Sequence, residues 1–297
     1  MGFFFEVLIG GLLSGVMYSL VALGFVLIYK ASGVFNFAQG SLVFFAALTF
    51  VGLTEHHLSF GVALVATLLV MIVAGLVIER FVLRPLVNQP QISLFMATIG
   101  LSFFIEGLAQ LMWGASVRGL DLGIQDEPIE WISDRAGINI SKFDLMAAGI
   151  AAALVIVLAL FFNRTRIGRA LRAVADDHQA ALAVGIPLQQ IWAIVWAVAG
   201  FVALVTGLLW GARNGVQFAL TFVALKALPV LILGGFESIP GAIVGGLIIG
   251  ATEKLAEVYI GPYVGGGIEG WFPYVLALLF LLVRPEGLFG EKIIRRI

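Results

Sequence analysis

The chain has 297 residues, of which 61% are apolar and only 12% are Asp, Glu, Lys or Arg. A soluble domain normally has about 25% charged residues, so most of the outer surface of this protein must face lipid. The net charge of −1 gives no bulk basic signal for nucleic-acid binding, and the lack of cysteine excludes disulfides, thiolate metal sites and cysteine nucleophiles.

Charged and turn-forming residues divide the sequence into apolar pieces, each close to the roughly 20 residues that a membrane-spanning helix needs. We therefore predict an all-α fold, a polytopic membrane helical bundle of eight to ten transmembrane or broken helices that forms a single transmembrane domain over residues 1–297. Two pieces, 35–53 and 219–235, are candidates for broken or re-entrant elements. The predicted helices cover 7–29, 35–53, 59–80, 91–113, 143–163, 190–211, 219–235, 240–259 and 268–284.

The distribution of Lys and Arg predicts the orientation of the chain in the membrane. With a cytoplasmic C-terminus, eleven of these residues fall in inner segments and four in outer segments, and the opposite orientation reverses that ratio. This topology makes 163–190 a cytoplasmic loop. It makes 114–142 an outer-face loop, which is acidic and long enough to form a small cap.

Glycines recur at small-xxx-small spacing inside the predicted helices, as in Gly11 with Gly15 and Gly246 with Gly250. This spacing lets helix backbones approach closely in lipid. It favours tight helix packing within the chain, and a dimer seam is the alternative interpretation.

Two glycine-rich breaks, 31–40 and 234–241, interrupt the two halves of the sequence. Paired breaks in corresponding halves are typical of transporters in which the solute site lies between internal repeats. In the first break, Asn36 and Gln39 either line the solute pathway or hydrogen-bond the backbone groups that the break frees.

Ionisable residues inside membrane helices are costly and point to function. Glu106 and Lys226 each lie seven residues from the outer end of a predicted helix, which places both about 10 Å below the outer surface. Equal depth and opposite sign suggest an ion pair. The alternatives are two separate side chains in a wet outer vestibule, or a lysine that snorkels to the interface. With Asn36 and Gln39, they are the candidate residues of a translocation pathway.

No glycine is followed by lysine, so there is no ATP-binding loop, and no catalytic or metal-ligating constellation is found.

The cytoplasmic loop 163–190 contains the most informative motif. After an arginine-rich stretch, Asp176 or Asp177 is placed to cap a short alanine-rich helix of two to three turns, and Gly185 followed by Pro187 is placed to end it. Because this helix has no long apolar face to bury in its own bundle, it suits a groove in a partner protein.

Gln179-Ala180-Ala181, followed after three residues by Gly185, resembles the coupling loop of ABC importer permeases, whose pattern has Glu where this chain has Gln. Four segments in order resemble the branched-chain amino-acid permease family, and its H-type subunit in particular. They are Asn36 to Gly40, Gly168 to Ile186, Leu231 to Gly246 and Arg284 to Gly290.

The resemblance implies a transporter subunit rather than an enzyme, multi-pass in the inner membrane of a bacterial cell, that carries branched-chain or related small amino acids. The implied partners are a second homologous permease, two ABC ATPases that bind ATP and Mg, and a soluble solute-binding protein. This chain would bind no cofactor itself. The alternative is an ion-coupled secondary transporter or channel for a small polar solute. Such a protein needs ion-coupling carboxylates inside the membrane, and Glu106 alone is weak support for it. The residues implied to contact the ATPase are Asp176, Asp177, Gln179, Ala180, Ala181 and Gly185.

Overall fold

The computed structural model describes residues 2–86, 89–176 and 178–290, and in these ranges the chain is helical apart from its connections and two isolated β-bridges. The helices are α1 (Gly2–Ser32), α2 (Gln39–Glu55), α3 (Phe60–Ile78), α4 (Gln91–Trp113), α5 (Glu130–Ala136), α6 (Lys142–Arg164), α7 (Arg166–Asp176), α8 (His178–Ala183), α9 (Leu188–Asn214), α10 (Val223–Gly234), α11 (Ile239–Tyr259), α12 (Gly261–Val264) and α13 (Phe272–Val283).

Within the described ranges, six helical segments are long and apolar enough to cross a membrane. They are Gly2–Ser32, Phe60–Leu86, Gln91–Trp113, Lys142–Arg164, Leu188–Asn214 and Ile239–Tyr259. Three shorter apolar helical segments, Gln39–Glu55, Phe218–Gly234 and Phe272–Val283, correspond to the remaining predicted helices. The predicted all-α membrane bundle of transmembrane and broken helices is therefore confirmed.

The two pieces that the sequence marked as irregular depart most from straight helices. The piece predicted at 35–53 becomes helical only at Gln39, because Gly33 adopts a left-handed conformation (φ 69°) after α1 and the next residues form a turn. The piece predicted at 219–235 begins as a 3₁₀ turn, Phe218–Phe222, and continues as α10. Lys226 consequently lies in the first turn of α10 rather than deep in one long helix.

The chain divides into two compact units. One comprises Gly24–Leu122 and Val157–Leu225. Its centre is α2, in which every residue from Gln39 to Gly52 is buried, and α3, α4 and α9 pack around it. Helices α3 and α9 meet through reciprocal glycines: a Cβ atom at Gly75 would lie 2.8 Å from Trp196 O, and one at Gly200 would lie 2.8 Å from Met71 O. Backbone contact of this kind replaces side-chain interdigitation where helices pack in lipid.

The other unit comprises the described residues of 2–23, 123–156 and 226–290. The predicted glycine contact forms here: a Cβ atom at Gly11 would lie 2.7 Å from Gly250 O, and one at Gly15 would lie 2.5 Å from Gly246 O. This close approach of α1 and α11 is the tight helix packing that the small-xxx-small spacing favours.

Two of the four motif segments meet in this second unit. Leu288 N donates a hydrogen bond to Leu233 O at 2.8 Å, and Phe289 N donates to Gly234 O at 3.1 Å. A left-handed Gly287 (φ 80°) turns the chain beside Gly235. The C-terminal motif therefore supplies the donors that satisfy carbonyl groups at the end of α10, where a helix leaves its last carbonyls unpaired.

The predicted outer-face loop, 114–142, contains the short helix α5. Asn139 N donates to Glu6 Oε2 at 3.0 Å, and Lys142 N donates to Glu127 O at 2.9 Å. These bonds fix the later part of the loop to the first turns of α1 and to its own beginning. Its position outside the membrane stays a prediction.

Candidate functional site

The arginine-rich start of the predicted cytoplasmic loop is helical, which the sequence did not predict. Helix α7 buries Gly168, Leu171 and Val174, which share one face at helical spacing. Arg172 Nη1 donates to Phe162 O at 2.8 Å, and Gly168 packs directly on the backbone of Phe162. Helix α7 is thus anchored to the end of α6 in the same unit. The recurrence of apolar residues at i, i+3 and i+6 is the sequence signal that could have found it.

Helix α8 has six residues, His178–Ala183, and is therefore shorter than the predicted two to three turns. Ile186 N donates to Ala181 O at 2.9 Å, and Gly185 N donates to Leu182 O at 3.0 Å, with Gly185 in the left-handed region (φ 84°). This is a Schellman ending, in which glycine avoids the strain that a Cβ atom would bring. The prediction that Gly185 ends the helix is confirmed.

The predicted ATPase-contacting residues differ in their environments. Asp176 is the last residue of α7, so it is not the cap of α8, and Asp177 lies outside the described residues. Gln179 and Ala180 are exposed, whereas Ala181 is only 2% exposed and belongs to the interior of the unit. The surface that α8 presents is therefore formed by Gln179, Ala180, Leu182, Ala183 and the following Val184.

The break between α1 and α2 is held together by side chains that are fully buried. Asn36 Oδ1 accepts a hydrogen bond from Ala38 N at 3.1 Å, and Asn36 Nδ2 donates to Gln39 Oε1 at 3.4 Å. Asn36 thereby pairs a backbone donor that the break frees, as the second of the two alternatives predicts. Gln39 Nε2 is buried without a hydrogen-bond partner among the described residues. A role for either residue in a solute pathway stays a prediction.

A cluster of hydroxyl groups surrounds Glu106 on α4. Ser41 Oγ donates to Glu106 Oε1 at 2.7 Å, Ser102 Oγ donates to the same oxygen at 3.3 Å, and the two hydroxyl oxygens lie 2.7 Å apart. Ser41 is only 1% exposed and directly follows the Asn36 to Gly40 motif, while Ser102 lies one turn before Glu106. Sequence reasoning missed both serines, although the spacing of Ser102 and Glu106, four residues apart, places them on one helix face.

Glu106 lines a cavity of about 300 Å³ that we call the Glu106 cavity. Ser41 and Ser102 also face it. Apart from Thr221, its other walls are apolar and include four aromatic rings, those of Phe37, Phe103, Phe218 and Phe222. All these residues belong to the unit built around α2. An apolar pocket with few convergent polar groups is the usual form of a small-molecule site.

Lys226 forms its ion pair with Glu253 of α11 rather than with Glu106, which the sequence made its candidate partner. The Lys226 Nζ atom lies 3.1 Å from Glu253 Oε1, and Tyr18 Oη donates to the same oxygen at 3.1 Å. Glu253 is 1% exposed, and its Oε2 has no hydrogen-bond partner among the described residues. Sequence reasoning missed Glu253. The available signal was its position three residues after Gly250 on the face that carries the glycine motif.

Comparison with known proteins gives the chain its family. A family model described as "Branched-chain amino acid transport system / permease component" matches residues 7–284. The high-affinity branched-chain amino acid transport system permease protein LivH of Salmonella typhimurium is 27% identical over 99% of this chain and 98% of its own length. The corresponding protein BraD of Pseudomonas aeruginosa is 29% identical over 99% and 98%. The probable LivH of Methanocaldococcus jannaschii is 27% identical over 96% and 92%. This chain therefore belongs to the branched-chain amino acid transport system permease family, and it is a multi-pass membrane permease subunit rather than an enzyme.

Proposed function

We propose that this chain is the permease of an ATP-driven importer that carries branched-chain or related small amino acids. The observation that carries the proposal is α8, a short and largely exposed helix. It follows α7, which buries one face in its unit, and both lie between two long helices that could cross a membrane. An exposed helix of this kind suits a groove in a partner that moves it. The substrate class follows the names of the relatives, which match nearly the whole chain.

The proposed partners are a second homologous permease, two ABC ATPases that bind ATP and Mg²⁺, and a solute-binding protein that meets the outer face, including 114–142. The proposed location is the inner membrane of a bacterial cell with the C-terminus in the cytoplasm. The excess of Lys and Arg in inner segments supports this orientation.

The packing of α7 explains how a movement of α8 would reach the bundle. Leu171 and Val174 are buried, and Arg172 holds the carbonyl of Phe162 near the end of α6. Both α7 and α8 also contact α9. Because well-packed elements shift as units, a displacement of α8 would be passed to α6 and α9 rather than absorbed by a loose loop.

The test is uptake of radiolabelled leucine, isoleucine and valine into proteoliposomes that hold this chain with its partner permease, ATPases and loaded binding protein. We expect uptake to need ATP. We also expect Val184→Glu to abolish uptake while the complex still assembles, because Val184 lies beside α8 and is 76% exposed. Uptake that is independent of ATP and unaffected by the substitution would instead indicate an ion-coupled carrier or a channel.

A further inference from the structure

We propose that the Glu106 cavity is a solute subsite in which Glu106 binds the α-ammonium group of the transported amino acid and the phenylalanine walls receive its aliphatic side chain. The inference rests on the proposed function and deepens it, because it assigns the ammonium group and the aliphatic chain to named residues.

The two oxygens of the Glu106 carboxylate differ in their hydrogen bonding. Both serine hydroxyls bond to Oε1, so this oxygen is held in place. In the described ranges of the chain, no side chain donates a hydrogen bond to Oε2, and no Lys or Arg lies within 4.0 Å of the carboxylate. A carboxylate on a membrane helix without a positive partner is unfavourable. A cationic group that enters the cavity would supply that partner.

Serine hydroxyls fit this task better than a fixed lysine or arginine would. They position the carboxylate by donating hydrogen bonds, yet they leave its charge uncompensated. Ser41 is buried on α2, and Ser102 lies on the same face of α4 as Glu106. The arrangement therefore orients the carboxylate without a cationic side chain beside it among the described residues, and a hydrogen bond between charged groups is stronger than one between neutral groups.

The remaining walls indicate what accompanies the cationic group. Phe103 and Phe222 expose 70% and 53% of their surface, and Phe37 and Phe218 complete an aromatic lining. Gly40 lets the 3₁₀ turn that carries Phe218 and Phe222 approach α2, because a Cβ atom there would clash with Thr221 O. Aromatic faces accept aliphatic groups and also attract cations.

The volume of the cavity further limits which solutes it can bind. The cavity of about 300 Å³ is at the small end of the range of about 300–1,000 Å³ that ligand pockets usually have. Among the described residues that line it, the single ionisable one is acidic, so the cavity disfavours anions. The ammonium group, the branched aliphatic chain and the size of a small neutral amino acid match the carboxylate, the apolar walls and the volume together. An inorganic cation satisfies only the charge.

The subsite can be tested without transport. The whole importer complex, in lipid nanodiscs without binding protein or ATP, is unfolded thermally in the presence of millimolar isopentylamine or 4-methylpentanoate. The amine carries leucine's side chain and an ammonium group, whereas the acid carries the same chain and a carboxylate. We expect the amine to raise the unfolding midpoint of the wild-type complex but not that of Glu106→Gln, and the acid to raise neither. Glu55→Gln, an exposed acid outside the cavity, is the matched control and should respond as the wild type does.

Transport provides the second readout. With loaded binding protein, Glu106→Gln should lower leucine uptake about tenfold, the loss expected for one charge-assisted hydrogen bond. ATP hydrolysis that the binding protein stimulates should persist, since α8 is unchanged. Ser102→Ala, which removes a hydroxyl and leaves the charge, should produce a smaller loss in both assays.

Three results would overturn the subsite. They are an amine response that survives Glu106→Gln, unchanged leucine uptake by that variant, and a stabilisation by sodium ions that the amine does not reproduce. The last would assign the cavity to an inorganic cation. Failure of the proposed function is distinct, because the wild-type complex would then import no branched-chain amino acid with ATP, whatever the amine does.

Discussion

Lys226 and Glu253 form an ion pair inside their unit, with 3.1 Å between Nζ and Oε1 and with side-chain exposures of 31% and 2%. Tyr18 Oη donates to the same carboxylate oxygen, so residues of α1, α10 and α11 converge on one buried charge. Desolvation of such a carboxylate is expensive unless its partner stays in place.

Lys226→Met should destabilise the protein strongly because it leaves Glu253 buried without its cation. Breaking a buried pair from one side typically costs about 3–5 kcal/mol. The double variant Lys226→Met with Glu253→Gln should recover most of the loss, since neither charge remains. Thermal unfolding of the four members of this cycle, followed by tryptophan fluorescence in detergent, measures the coupling. If the two single losses simply add in the double variant, the pair is not coupled.

Much of this bundle follows from the length and spacing of apolar runs. The sequence placed α4 at its observed bounds, 91–113, and α11 within one residue. Sequence reasoning missed Glu253 because the sequence pattern alone does not distinguish Glu253 from Lys254 and Glu257. All three look like the polar end of a helix. In three dimensions only Glu253 faces the interior, while Lys254 pairs with Glu269 and Glu257 accepts hydrogen bonds from Gly267 N and Glu269 N.

Adjacent glycines near the start of α1 should respond oppositely to the same substitution. At Gly11 a Cβ atom would lie 2.7 Å from Gly250 O and 2.9 Å from Ala251 Cα, whereas at Gly10 it would meet nothing within 4 Å. Gly11→Ala should therefore force α1 and α11 apart at a cost of about 1–3 kcal/mol. Gly10→Ala should be neutral or stabilising by up to about 1 kcal/mol, because alanine favours the helix.

The comparison needs only the midpoint of thermal aggregation of each variant, measured by size-exclusion chromatography after heating. Gly10→Ala serves as the control for any general effect of adding a methyl group to α1. Equal midpoints for the two variants would contradict the close contact between α1 and α11.

Two neighbouring alanines in α8 should separate structural from coupling effects. Ala181→Leu adds volume at a position that is only 2% exposed, so it should lower stability by about 1–3 kcal/mol. Ala180→Leu adds the same volume to the exposed side and should leave the unfolding midpoint unchanged. If the exposed side docks on an ATPase, Ala180→Leu should instead weaken ATP-dependent uptake. A loss of stability from Ala180→Leu as large as that from Ala181→Leu would show that α8 is packed on both sides.

The Glu106 cavity shows where sequence reasoning reached its limit. Glu106 stands out in one dimension because an acid in an apolar helix is rare. Ser41 does not, since serine is common in membrane helices and lies 65 positions away along the chain. Its relevance depends on the turn after α1, where Gly33 and the Asn36 side chain set the start and rotation of α2. Apolar periodicity does not encode that rotation.

Substitutions of Asn36 can distinguish a structural role of this residue from a role in transport. Asn36→Ala removes the acceptor for Ala38 N and the donor to Gln39 Oε1 in a site that is fully buried. Leaving buried polar groups unpaired costs about 1–3 kcal/mol, so we expect a clear fall in the unfolding midpoint. Asn36→Ser keeps a short acceptor that can still bond to the backbone two residues on, and it should recover part of the loss. Uptake by each variant should then follow the fraction of folded complex. If Asn36→Ala instead keeps the wild-type midpoint and loses uptake, Asn36 contacts the solute.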